Sequence, residues 1–154
     1  MPHATFLQQA ITLSQESADA GGYPAGALVV RNGEVLGTGI SNGKQLHDPT
    51  SHAEIAAIRA ACQKAGHRDL PDAALYTSLE PCLMCYSATL WAHIPRIVYA
   101  CSRDKVTTKY YEGDHNAHEI YGAAHRNINL EHVVGLEPEA LAVIHEWEKA
   151  LVSK

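Results

Sequence analysis

The chain has 154 residues, 46% hydrophobic and 19% charged, a composition that excludes a disordered or fibrous protein and suits an ordinary globular one. That length gives one domain with a full core and leaves little room for two. A formal net charge of −5 without any Lys/Arg cluster argues against a phosphate-gripping face, so nucleic acid is not an expected partner.

Residues 4–20 carry Phe6, Ala10, Leu13 and Ser17 at helical spacing, and Gly21-Gly22 then stops the helix. Ala27–Val30 and Val35–Ile40 flank Asn32-Gly33, the dipeptide of a tight two-residue hairpin. A loop containing Asp48-Pro49-Thr50-Ser51 leads to a helix expected from about His52 to Ala65, ending near Gly66. Ala74–Ser78 reads as a strand, Cys82–Trp91 as a helix introduced by Pro81, and Arg96–Ala100 as another strand. The polar stretch 102–127 is harder to read, with a short helix expected around 115–123. Asn129–Val134 follows as a last strand, and Pro138 opens a helix carrying Leu141, Ile144, Trp147 and Leu151. Strands alternating with helices after an opening hairpin predict a three-layer α/β domain around a central mixed sheet.

The chemistry lies in His52-Ala53-Glu54 followed by Pro81-Cys82-Leu83-Met84-Cys85. One imidazole and two thiolates form a zinc donor set, and three protein ligands leave a fourth tetrahedral position for water, as in catalytic zinc sites. Cys82 and Cys85, three apart in a first helical turn, would share one face, and the helix N-terminus lowers thiol pKa. His52 and Glu54 would diverge on an ideal helix, so His52 is expected at the entry, where the backbone is not yet helical. Glu54, not needed as a ligand, is then placed to accept a proton from an activated water and deliver it to an amino-substituted ring.

Plainer readings compete. Ser51-x-x-Glu54 is also a capping box, and Cys82-x-x-Cys85 at a helix start also suits a redox pair or a structural zinc site. A redox pair needs no upstream His-x-Glu, and a structural site wants a fourth protein ligand. Cys62 and Cys101, in apolar segments, read as buried hydrophobes. His115-x-x-His118-Glu119 reads as surface rather than as a second metal site, and Trp91 as a core aromatic unless its face lines a pocket. The first Lys or Arg is Arg31, so no signal peptide is expected, and no apolar run reaches a membrane span; a cytoplasmic location is the expectation.

Taken together, the two halves resemble the cytidine/deoxycytidylate deaminase superfamily, whose zinc signature is this H-x-E and P-C-x-x-C pair. The resemblance implies zinc held by His52, Cys82 and Cys85, Glu54 as proton shuttle, a five-stranded sheet between helices, and a homodimer. Within the superfamily the chain most resembles bacterial guanine deaminases, through Thr5-Phe6-Leu7, Asn42, Asp48-Pro49-Thr50, Tyr76–Cys82 and Leu90-Trp91-Ala92. That likeness implies a nucleobase substrate bonded by Asn42, read at its edge by the backbone around Ala53 and packed by Trp91. It also implies an acidic contact from Glu112 or Asp114, and a C-terminal segment exchanged between subunits. The chain departs from the pattern at Ala25, where a stacking aromatic is expected, and in ending at Val152-Ser153-Lys154 without a terminal aromatic. Cytosine, a pterin, a triazine or a nucleoside therefore stand beside guanine as substrates. tRNA adenosine deaminases share similar motifs but fit the acidic balance and the segment after Tyr99 less well.

Overall fold

The computed structural model describes residues 2–110 and 126–153. The predicted helix 115–123, His115, His118, Glu112 and Asp114 fall outside the described residues.

Helix α1 (Pro2–Asp19) leads into strands β1 (Gly26–Arg31) and β2 (Glu34–Ile40), which pair antiparallel. Their turn has both Asn32 (φ 51°) and Gly33 (φ 78°) in the left-handed region, the conformation that Asn-Gly tolerates and that matches strand twist. The register slips between Val29↔Gly37 and Val30↔Val35, leaving Leu36 as a bulge. A short helix α2 (Gly43–Leu46), not evident in the sequence, precedes α3 (Ala53–Ala65). Then follow β3 (Ala73–Leu79), α4 (Leu83–Trp91), β4 (Arg96–Cys101), β5 (Asn129–His132) and α5 (Glu137–Val152). The last strand is two residues shorter than expected because Val134–Leu136 turns into a 3-10 segment that leads into α5.

The sheet order is β2-β1-β3-β4-β5, with β1 antiparallel to both neighbours and β3, β4 and β5 mutually parallel. It is the expected mixed five-stranded sheet. Period-2 alternation divides its side chains between two cores. Ala27, Val29, Leu75 and Ile97 pack under α3 and α4, with Ala57, Ala61 and Tyr86. Leu28, Val30, Tyr76 and Val98 pack under α1 and α5, with Leu7, Ile11, Ala140 and Ile144. This is the three-layer arrangement predicted.

The buried stripe of α1 runs through Leu7, Ala10, Ser14 and Ser17, rotated from the predicted Phe6–Leu13 face. Ser14 Oγ donates to the Ile11 carbonyl at 2.6 Å and Ser17 Oγ to the Tyr23 carbonyl at 2.6 Å, so both hydroxyls are satisfied indoors. Helix α3 comes closer to the sheet than side chains normally allow, because β2 presents glycine. A Cβ at Gly39 would run into the Ala53 carbonyl oxygen, and one at Gly37 would lie 2.5 Å from the Ala61 nitrogen. This backbone-to-backbone seat fixes where α3 begins. No described helix is long and apolar enough to cross a membrane.

Candidate functional site

Two helix entries meet at the end of β3. His52 is the N-cap of α3 (φ −70°, ψ 165°) and Cys82 the N-cap of α4 (φ −70°, ψ 172°), both extended. The two side chains are turned toward one another, and Cys82 also meets Cys85 of its own helix. His52 thus sits where expected, whereas Cys82 lies just before the first turn rather than within it. Cys85 follows inside α4, and Glu54 inside α3.

The side chains converge. His52 Nδ1 lies 3.5 Å from Cys82 Sγ and 3.6 Å from Cys85 Sγ. Among the described residues, these three are the His/Cys/Asp/Glu group whose donor atoms fall within 4.8 Å of one another. Tetrahedral ligands at ordinary Zn–S and Zn–N lengths stand about 3.6 Å apart, nitrogen to sulfur. The donor set therefore fits zinc in both chemistry and spacing. Coordination would hold both sulfurs as thiolates. Without metal, the Cys82 thiol is already pulled down to about 4 by the hydrogen bond from Cys85 and its contact with His52.

Glu54 is 4% exposed, and Cys85 Sγ lies 3.3 Å from its Oε2. Burial, reinforced by the negative sulfur of Cys82, raises this carboxyl's hold on its proton above the ordinary carboxylate range. The capping-box alternative does not describe it. Ser51 is not the cap, and its Oγ donates to Asn42 Oδ1 at 2.6 Å.

A cleft opens beside His52 and Glu54, lined also by Tyr23, Ala25, Ser41, Arg103 and Tyr110. Arg103 is held against the metal-bearing loop. Its guanidinium donates to the Glu80 carbonyl at 2.9 and 3.2 Å, and its own N–H donates to the Glu80 carboxylate at 3.0 Å. Behind the cleft, Trp147 of α5 meets Tyr23 edge-on at 5.1 Å and Tyr110 at 4.8 Å, between ring centroids. Burial pushes the Tyr23 phenol up to about 12.

The other predicted contacts are placed unevenly. Ala53 is buried at the first position of α3, beside the metal-ligand set. Asn42 is half-buried at the start of α2, next to Ser41 and bonded to Ser51. Trp91 is 73% exposed at the end of α4 and is not part of the cleft lining. The expectation of a core aromatic there is wrong: Thr89 and Ala92 on either side are buried, so Trp91 falls on the outward face of the helix end. Sequence reasoning missed Tyr23, Arg103, Tyr110 and Trp147 as cleft residues. No local pattern marks them, since they come from four separate segments.

Residues 1–101 match the family model for the zinc-binding region of cytidine and deoxycytidylate deaminases. The chain belongs to that family. Its zinc-binding character accords with the His52–Cys82–Cys85 group. The chain is similar to guanine deaminase of Bacillus subtilis, 46% identical over 101 residues, which is 65% of this chain and 65% of that protein. It is also similar to the tRNA-specific adenosine deaminase of Agrobacterium fabrum, 38% identical over 100 residues, 65% of this chain and 66% of the relative. The chain therefore matches just under two thirds of the length of each. Among solved structures, guanine deaminase from Nitrosomonas europaea superposes with a TM-score of 0.85 at 25% identity, covering 97% of this chain and 85% of that chain.

Proposed function

We propose that this deaminase hydrolyses a free nucleobase, converting guanine to xanthine and ammonia, with Glu54 as the proton carrier. One observation carries the reading: a buried carboxyl with a raised proton affinity stands beside a zinc donor set and opens onto a cleft. When bound, zinc supplies Lewis acidity that lowers the pKa of water to about 7. His52, Cys82 and Cys85 hold the ion. Glu54 takes a proton from the attacking water and passes it to the ring nitrogen beside C2. It then takes the proton of the new C2 hydroxyl and passes it to the exocyclic amine as the C2–N bond breaks, so ammonia leaves and C2 keeps the oxygen as a carbonyl.

Asn42, whose Oδ1 accepts from Ser51 at the start of α2, supplies a side-chain amide for the base. The backbone around Ala53 reads the ring edge, and Glu112 or Asp114 contributes the acidic contact. The working form is a homodimer in the cytoplasm, with a C-terminal segment exchanged between subunits. The likeness to Bacillus guanine deaminase supports the choice of base.

A second reading, deamination of adenosine in tRNA, is favoured by the Agrobacterium relative. Against it stand the net charge of −5 and the lack of a basic cluster. Ammonia release should be measured with guanine, cytosine, adenine, isocytosine, pterins, their nucleosides and tRNA. Turnover of guanine is expected. Turnover of cytosine alone would replace the substrate and keep the mechanism, and turnover of tRNA alone would establish the second reading.

A further inference from the structure

We propose that Tyr23 and Tyr110 form the ring-stacking wall of the substrate cleft, and that Trp147 of the C-terminal helix holds them in place. The inference rests on the nucleobase reading and adds to it the residues that grip the ring face. Position 25 cannot do so, because Ala25 has no ring and is only 6% exposed. Its small side chain lines the same cleft as His52, Glu54 and the two tyrosines.

The geometry is that of a braced wall. The Tyr23 and Tyr110 rings stand 6.4 Å apart at 50°, splayed rather than stacked on each other, so neither uses up the other's face. Trp147 touches both by edge-to-face contact, 68° to Tyr23 and 72° to Tyr110. Such contacts fix ring orientation, each meeting one face or one edge of a tyrosine, and Lys109 Nζ stands over the Tyr110 ring 5.3 Å from its centroid. Tyr23 is further anchored through its backbone, whose carbonyl accepts the Ser17 hydroxyl. Tyr110 is 40% exposed, more than a ring serving only the core would be. A flat, uncharged heteroaromatic amine is the ligand such a wall takes, and two fused rings overlap it better than one.

Tyr110→Leu, Tyr110→Phe and Trp147→Leu should be compared for guanine turnover, with zinc content and melting temperature recorded for each. Stacking grips ground and transition states alike, so Tyr110→Leu should raise KM about tenfold with kcat held within about threefold. Tyr110→Phe should restore the original KM, because the ring face and not the hydroxyl is at work. Trp147→Leu should raise KM in the same direction. An unchanged KM in Tyr110→Leu, or a Phe variant as impaired as the Leu one, would overturn the proposal.

A second readout does not need turnover. The chain has two tryptophans, so Trp91→Phe leaves Trp147 as sole indole reporter. Its emission should change on titration with hypoxanthine, a purine with no amine to lose. If hypoxanthine perturbs Trp147 while no base in the panel is deaminated, the substrate reading has failed and the wall stands. If guanine is deaminated while Trp147 stays silent and KM is indifferent to Tyr110, the wall has failed and the substrate reading stands.

Discussion

Replacing Glu54 by Gln isolates proton transfer from every other property of the site. Gln matches Glu in volume and keeps an acceptor oxygen for the neighbouring Cys85 thiol, 3.3 Å from Oε2 in the native chain. It cannot take up and return a proton. Glu54 is also the one carboxylate among the described cleft residues. A general acid–base group contributes about 10²- to 10⁴-fold, roughly 3–5 kcal/mol of barrier. The expected loss of kcat is therefore about 10²-fold or more. The fold should not suffer, because the substitution removes a carboxyl that burial already disfavours in its charged form. The assay is ammonia release by purified Glu54→Gln enzyme, with zinc per subunit and thermal midpoint measured on the same preparation. Near-native turnover with a full zinc complement would refute the proton-carrier role. Loss of zinc would show instead that Glu54 serves the metal.

Three further outcomes follow from the coordinates. His52→Ala and Cys82→Ser should each abolish stoichiometric zinc, measured by elemental analysis, and a strong chelator should lower the melting temperature of the native chain until zinc is restored. Gly39→Ala should destabilise the fold by about 1–3 kcal/mol in urea unfolding, because the added methyl meets the Ala53 carbonyl and forces α3 off its seat. At alkaline pH, burial holds the Tyr23 phenol neutral up to about 12 against an ordinary 10. Its stabilising effect is complete below pH 10 and is lost as pH rises through about 12. Tyr23→Phe should therefore remove part of the late-titrating tyrosinate absorbance and soften the fall in melting temperature over that window.

Much of the architecture was legible because short-range physics dictates it. Asn32-Gly33 specifies a turn with two positive φ angles, and alternating apolar residues along β1, β3 and β4 assign each strand's two faces. The donor set was legible for a similar reason: His52 and the two cysteines each sit at or just inside a helix entry that sequence signals mark. The α1 face was misjudged by one position because Ser14 looks polar in a sequence, yet its hydroxyl finds a carbonyl partner in the interior. Trp91 was misjudged because hydrophobicity alone does not say which face of a short helix a residue falls on. The cleft wall was invisible, since Tyr23, Arg103, Tyr110 and Trp147 meet only through the tertiary fold.

The proposed ring wall is divided along the polypeptide. His52, Glu54, Cys82, Cys85 and Tyr23 all lie within the stretch matched by the family model, which ends at residue 101, while Tyr110 and Trp147 lie beyond it. A chimera keeping the first 101 residues and borrowing another family member's tail would retain the whole donor set and exchange only the outer half of the wall.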